Sequence, residues 1–262
     1  MTRSRALLVA ATITAFACSS ALAFNPIFIA GRSVSAAGDS LLAVTSSGTT
    51  GILVRKRGDT REFGAAELRS PRHIQWLAGE WFVSDVENGK ASIAVFDNGG
   101  AFRRRVPLES VTKTPHQFAV LPDGRIVLES PEGALVALQG DSVSVFALSD
   151  KSPRPGIVLG AAGGVLHGVP DRNITLYNGF GHIRWRLEWP WASTAYVSEI
   201  TVDAQGRIYV LAGVPGNGTF IVYLISNQTG EVLAWSAPGR EPTFVSDRIG
   251  KIKEDKADNW LK

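Results

Sequence analysis

Arg32, His73, Gln117 and Glu199 stand at matching places in a chain of 262 residues. Each lies seven residues before the second member of a recurring turn. The turns are Gly38-Asp39, Gly79-Glu80, Asp123-Gly124, Gly163-Gly164 and Gln205-Gly206. The fourth turn has Ile157 at that place, and His116 and Ser198 sit one residue ahead of it in their own repeats. Four polar residues thus open segments that are otherwise apolar. If the repeats superpose, these side chains converge on one ring. Neutral imidazole and ionised carboxylate are ligands for a divalent cation, so His73, His116 and Glu199 are the candidate metal ligands. Arg32, Gln117 and Ser198 would complete a polar pocket. The alternative is that a wet ring opening carries polar residues with no ligand at all. No cofactor is required by this pattern, and a divalent metal is the one inorganic ligand it suits.

Other chemistry is sparse. The sequence contains no G-x-S-x-G elbow, no H-E-x-x-H pair and no phosphate-binding glycine loop. The single cysteine, Cys18, lies in the N-terminal segment, which leaves no thiol nucleophile or disulfide framework downstream. His167 and His182 fall in a strand and an outer turn and read as structural or solvated. Asn173, Asn217 and Asn227 open glycosylation-type triplets that are equally natural turn sequences.

The elements that position the ring follow from the turn spacing, which is 41, 44, 40 and 42 residues. A period near 42 is that of a four-stranded propeller blade. Each repeat carries a first strand into the turn, a second strand out of it, a third strand, and a more polar fourth. Examples are Ile74–Leu77, Trp81–Val83, Ile93–Phe96 and Phe102–Val106. Glycine turns such as Asp97-Asn98-Gly99-Gly100 separate the third and fourth strands and supply the positive φ of tight hairpins. No segment of helical period interrupts the array. The expectation is an all-β propeller of four-stranded antiparallel blades, with five repeats and five or six blades. A sixth blade would be a composite of residues 24–31 with 243–245 or 249–252.

The segments Leu121-Pro122-Asp123-Gly124-Arg125-Ile126-Val127-Leu128 and Val202-Asp203-Ala204-Gln205-Gly206-Arg207-Ile208-Tyr209-Val210 resemble blades of NHL-type and YVTN-type β-propellers. The stretch from Asn227 to Trp235 resembles blade turns of quinoprotein-like propellers. The resemblance covers residues 32–238 and implies a fold, with six blades usual for NHL-like rings. It implies ligand binding at the mouth of the central channel, where the marked residues lie. Calcium-dependent lactonase propellers resemble this layout with several Asn and Asp ligands, and this chain has one carboxylate at the marked place. Zinc-dependent lyase propellers use several His, and here there are His73 and His116.

Arg3 and Arg5, an apolar run over residues 6–17 and the triplet Ala21-Leu22-Ala23 compose a secretory signal over residues 1–23. The domain expectation is therefore signal 1–23, propeller 24–250 and a charged tail 251–262. Cleavage leaves 25 basic and 24 acidic residues, a formal charge of +1 in place of +3. That balance argues against nucleic acid as a partner, and Arg103-Arg104-Arg105 reads as one solvated outer strand. The expected location is periplasmic or secreted. An anchor over residues 6–24 and lipidation at Cys18 are the alternatives.

Trp189 and Trp191 flank Pro190 in the connection between the fourth and fifth repeats, with Tyr196 close by. Trp and Tyr dominate interface energies, so these three and Trp260 are candidate contacts for a protein partner. The other reading of the tryptophans is a wedge between two blades. Together the features point to an exported, non-catalytic propeller acting as a scaffold or protein-binding subunit of a periplasmic or membrane complex. The alternative is a metal-dependent, lactonase- or lyase-like enzyme, or a small-ligand sensor working at the channel mouth. A receptor for sugar or quinone is a third, weaker reading.

Overall fold

The computed structural model describes residues 34–37, 40–45, 51–56, 59–112, 117–150, 154–189, 196–202, 206–214, 219–235 and 239–240; of these, side chains are described from Phe63 to Trp235, Val214 excepted. These residues form strands, and among them no helix is long and apolar enough to cross a membrane. The first sheet holds β1 (Val34–Ala37), β2 (Ser40–Thr45), β3 (Gly51–Lys56) and β4 (Asp59–Phe63). The second holds β5 (His73–Leu77), β6 (Glu80–Glu87), β7 (Lys90–Asp97) and β8 (Phe102–Pro107). The third holds β9 (Phe118–Val120), β10 (Ile126–Glu129), β11 (Leu135–Gln139) and β12 (Ser142–Ala147). The fourth holds β13 (Ile157–Ala161), β14 (Gly164–Val169), β15 (Asn173–Tyr177) and β16 (Ile183–Glu188). The fifth holds β17 (Tyr196–Val202), β18 (Ile208–Val214), β19 (Thr219–Ile225) and β20 (Val232–Trp235).

The first four strands of each sheet form an antiparallel meander in which neighbours in space are neighbours in sequence. Four sheets are strictly four-stranded; the fifth repeats the order and adds β21 (Gly239–Arg240) on β19. The first strands lie innermost and touch in a cycle: β1 meets β5, β5 meets β9, β9 meets β13, β13 meets β17, and β17 meets β1. The residues expected to form a composite sixth blade lie outside the described residues. Among the described residues, every sheet is built from consecutive strands.

Among the described residues four apolar cores fill the sheets and the spaces between them, one of them holding Phe63 of the first sheet with Ile74, Trp81 and Phe96 of the second. Another packs Phe82, Ile93 and Val95 of the second sheet against Phe118, Ile126 and Leu128 of the third. A third joins Leu121, Val127 and Phe146 of the third sheet to Val158, Val165 and Tyr177 of the fourth. The last joins Leu166, Leu176 and Trp185 of the fourth to Ile200, Val210 and Tyr223 of the fifth. Alternate residues of one strand therefore enter different cores, as Val165 and Leu166 do. This is why the inner strands read as unbroken apolar runs: both sheet faces are covered.

The outer strands lock to the next sheet by a recurring aromatic–glycine contact. The Phe63 ring lies over Gly100 and the Trp185 ring over Gly230, while at Gly181 it is the Phe146 backbone carbonyl that comes closest. All three glycines have positive φ (84°, 83° and 76°) in the turn between the third and fourth strands. At Gly230 a β-carbon would also stand 2.6 Å from Trp185 Cε3. The indole N–H of Trp185 donates to the Asn227 carbonyl in the same turn, at 3.0 Å.

Candidate functional site

The innermost strands carry the ring residues expected to converge. His73 opens β5 and is 8% exposed. Its ring meets Phe118 of β9 edge-on, with centroids 5.1 Å apart. Burial lowers its pKa to about 4, against a smaller opposing effect from a hydrogen bond to the Phe118 backbone. Gln117, one residue before β9, has its side-chain oxygen buried with no hydrogen-bond partner among the described residues. Glu199 sits in β17 beside a bulge, where the register shifts between Val197 and Glu199 and leaves Ser198 unpaired. Burial raises the Glu199 pKa to about 8. At neutral pH this ring therefore has a neutral imidazole and a protonated carboxyl. Arg32 and His116 lie outside the described residues. Among the described residues no group of three or more His, Cys, Asp or Glu is arranged to hold a metal ion.

A residue that the repeat register does not mark lies inside the ring. Gln75, in the middle of β5, reaches across to β9. Its Nε2 donates to the Val120 carbonyl at 3.1 Å, and its Oε1 accepts the Val120 N–H at 2.9 Å. On β13, Gly160 faces the same amide: a β-carbon there would collide with Gln75 Nε2. One side chain thus ties two first strands together and fills the space before a third. The sequence signal was a lone polar residue inside an apolar strand.

A second polar cluster joins the connection before β5 to the second sheet. Asp85 is fully buried. It accepts the Arg69 and Ser70 N–H groups at 3.0 and 2.6 Å and the Arg105 guanidinium at 3.2 Å. Arg105 also donates to Ser92 Oγ at 2.8 Å and to the Glu67 carbonyl. Arg103 pairs with Asp97 at 2.6 Å and Arg104 with Glu80 at 2.9 Å. The basic run of β8 is neutralised residue by residue, so it presents no open field for a polyanion.

The aromatic connection divides. Trp189 is 4% exposed, part of the core between the fourth and fifth sheets, and edge-on to Tyr223 at 5.2 Å. Its backbone N–H donates to the Arg172 carbonyl at 2.6 Å. Of the two placements open to it, this is the wedge; the indole is covered by its own chain. Tyr196 begins β17, half-buried, with the Arg154 guanidinium 5.1 Å from its ring centroid. Trp191 and Trp260 lie outside the described residues. The large apolar side chains that are exposed lie elsewhere. They include Val145, Leu148 and Phe180, which are 67%, 82% and 79% exposed.

No protein-family model matches the chain. No curated protein matches it either. Solved structures do. The β-propeller domain of the trilobed protease from Pyrococcus furiosus, which has an open velcro topology, aligns over 77% of this chain and 68% of that one. The identity is 12% and the TM-score 0.50. A DUF4623 family protein from Bacteroides eggerthii aligns over 76% of this chain, with 12% identity and a TM-score of 0.49. A nidogen/laminin complex aligns over 59%, with 13% identity and a TM-score of 0.46. The chain spans 55% and 62% of those last two chains. Likeness at this identity speaks for fold alone. Joined to the meander sheets and their cyclic first strands, it makes the chain a β-propeller of four-stranded antiparallel blades.

Proposed function

We propose that the chain is an exported, non-catalytic β-propeller that serves as a protein-binding subunit of a periplasmic or membrane-associated complex. The observation that carries this is Gln75. Its amide spends both bonds on Val120 and stands against Gly160, so the middle of the ring is occupied by the protein itself. Binding then falls to the outside. The best-suited surface is β12, the outermost strand of the third sheet. Its exposed residues Ser142, Val143, Ser144 and Val145 carry no charge, whereas β8 and β16 carry arginines. An uncharged outer strand is a template for an added strand from a partner protein. Export rests on the signal-like residues 1–23, and the closed ring on the cycle of first strands, which supports five blades. A sixth would have to enter between β17 and β1, which already touch. Kinship with NHL- and YVTN-type blades rests on the turn segments around Gly124 and Gly206.

The test is purification from the native cell in mild detergent, with intact mass spectrometry of the chain and its companions. Expected is a chain beginning at Phe24, held near one-to-one with a membrane or periplasmic protein. Val143→Lys with Val145→Lys should lose that companion at an unchanged thermal midpoint. A wild-type chain that runs alone, or a double variant that keeps its companion, overturns the proposal.

A second reading places a small ligand or divalent ion at the channel mouth. The bulge beside Glu199 and the buried Gln117 oxygen favour it. Elemental analysis separates the two readings: bound metal lost in His73→Ala with Glu199→Ala would support this one.

A further inference from the structure

The fourth sheet buries a histidine that the ring does not use. His167 lies in the middle of β14, paired with Val158 and Thr175, and is 1% exposed. Neither ring nitrogen has a hydrogen-bond partner among the described residues. Across the junction with the third sheet, Glu129 at the end of β10 brings Oε1 to 4.0 Å from His167 Nε2. Gly156 sits between them. Its N–H donates to Glu129 Oε2, and a β-carbon on it would collide with His167 Nε2. Two titratable groups from adjacent sheets thus face each other across the residue that leads into β13.

We propose that Glu129 and His167 form an acid-released latch between the third and fourth sheets. In the closed state His167 is neutral and packed dry, while Glu129 holds the Gly156 N–H. Releasing it takes one proton on His167, which places a cation in a space where the facing acceptor, Glu129 Oε1, stands 4.0 Å away, beyond hydrogen-bond distance. Burial opposes that charge and holds the imidazole pKa at about 4. Burial also favours the neutral form of Glu129, so the nearest counter-charge disappears as the proton arrives. The carboxylate that raises the His167 pKa against burial is Asp150, already engaged by Arg186 and by Asn173 Nδ2 at 2.7 Å. The remaining ionisable neighbours of this cluster are Arg172 and Tyr177. None supplies a second anion aimed at the ring. The charged imidazole is relieved when water enters the junction, which separates β10 from the start of β13.

The test is hydrogen exchange of the full chain between pH 6.5 and 4.5, corrected for intrinsic rates and read by peptide. Uptake of one proton by His167 on opening would alone lower protection by about tenfold per pH unit, and Glu129, whose neutral form the closed state favours, makes the slope shallower by giving part of a proton back. That loss is expected in peptides covering residues 156–161, with a smaller loss in residues 93–97 of β7, which lie in the second sheet away from this junction. In His167→Gln the pH dependence of 156–161 should vanish. In Glu129→Gln it should persist and steepen, because the carboxyl whose neutral form favours the closed state is gone. Protection of 156–161 that is flat in the wild type, or equally steep in His167→Gln, overturns the latch. If His167→Gln does not fold, a Glu129→Gln profile that is flat, or shallower than the wild type, overturns it alone.

Discussion

Gln75 and Val120 exchange two hydrogen bonds between adjacent first strands, at 3.1 and 2.9 Å. The geometry copies a backbone pair with a side-chain amide, and it bridges two sheets whose own ladders do not meet. Replacing Gln75 with Leu keeps the bulk and strands both Val120 groups. Orphaned buried backbone groups cost about 1–3 kcal/mol each. The expected loss is about 3 kcal/mol, read as a lower urea midpoint at constant slope. Gln75→Glu should fall between wild type and Leu, since its carboxylate accepts from the N–H but faces the carbonyl. A Gln75→Leu variant as stable as wild type would show that the bridge is not needed.

Trp189 and Trp235 should separate core from surface. Trp189 fills the core between the fourth and fifth sheets, whereas Trp235 is 54% exposed. Truncating a buried Trp to Ala destabilises by about 3–5 kcal/mol. Surface truncations away from such features stay within about 0.5 kcal/mol. Trp189→Ala should therefore lower the thermal midpoint by many degrees, and Trp235→Ala should barely move it. Equal effects would contradict the packing described for the fifth sheet.

The sheets were legible because their turns demand residues that stand out. A two-residue hairpin needs positive φ, and Gly79, Gly163 and Gly206 supply it at a regular period. Burial on both faces made the inner strands readable as apolar runs. The ring register found His73, Gln117 and Glu199 because it compares the same place in every repeat. It could not find Gln75, whose role depends on Val120 and Gly160 in two other sheets. Nor could it find His167 facing Glu129, 38 residues away along the chain. Pairs of that kind follow from how the sheets pack. Trp189 carried the same ambiguity, since a tryptophan beside a proline reads alike as an anchor or as a wedge.

Stability should peak near pH 6.5. His73 and His167 are buried neutral, with pKa values of about 4 in the folded protein. The unfolded chain takes their protons first, so stability falls as pH drops from about 6.5 towards 4. Glu199 is buried protonated, with a pKa of about 8. Its contribution is complete below the ordinary carboxylate range and is lost as pH rises to about 8. Above pH 6.5 the histidines no longer change, and Glu199 sets the decline. Thermal midpoints at pH 5, 6.5 and 8 check this. Glu199→Gln should flatten the alkaline side and steepen the acid side, where Glu199 opposes the histidines. A midpoint that rises steadily from pH 6.5 to 8 in the wild type would rule out a buried protonated Glu199.

Two turns carry an avoidable strain. Ala78 and Ala162 have φ of 51° and 49°, each followed by a glycine also at positive φ. A β-carbon in the left-handed region costs about 1–2 kcal/mol, and Asn tolerates it better than Ala. Among the described residues that solution is used at Asn88-Gly89 between β6 and β7, where Asn88 also has φ 51°. Both alanines are exposed, so an amide side chain meets water and displaces nothing. Ala78→Asn and Ala162→Asn should each stabilise by about 0.5–1 kcal/mol, and the two should add, since they lie in different sheets. The readout is the urea midpoint of the two single variants and the double variant. Gly79→Ala is the opposing control. Its φ of 85° suits glycine alone, although nothing crowds the site, so a loss there would come from backbone conformation and not from contact. A destabilising Ala162→Asn would mean that the turn's strain is not relieved by the residue that relieves it at position 88.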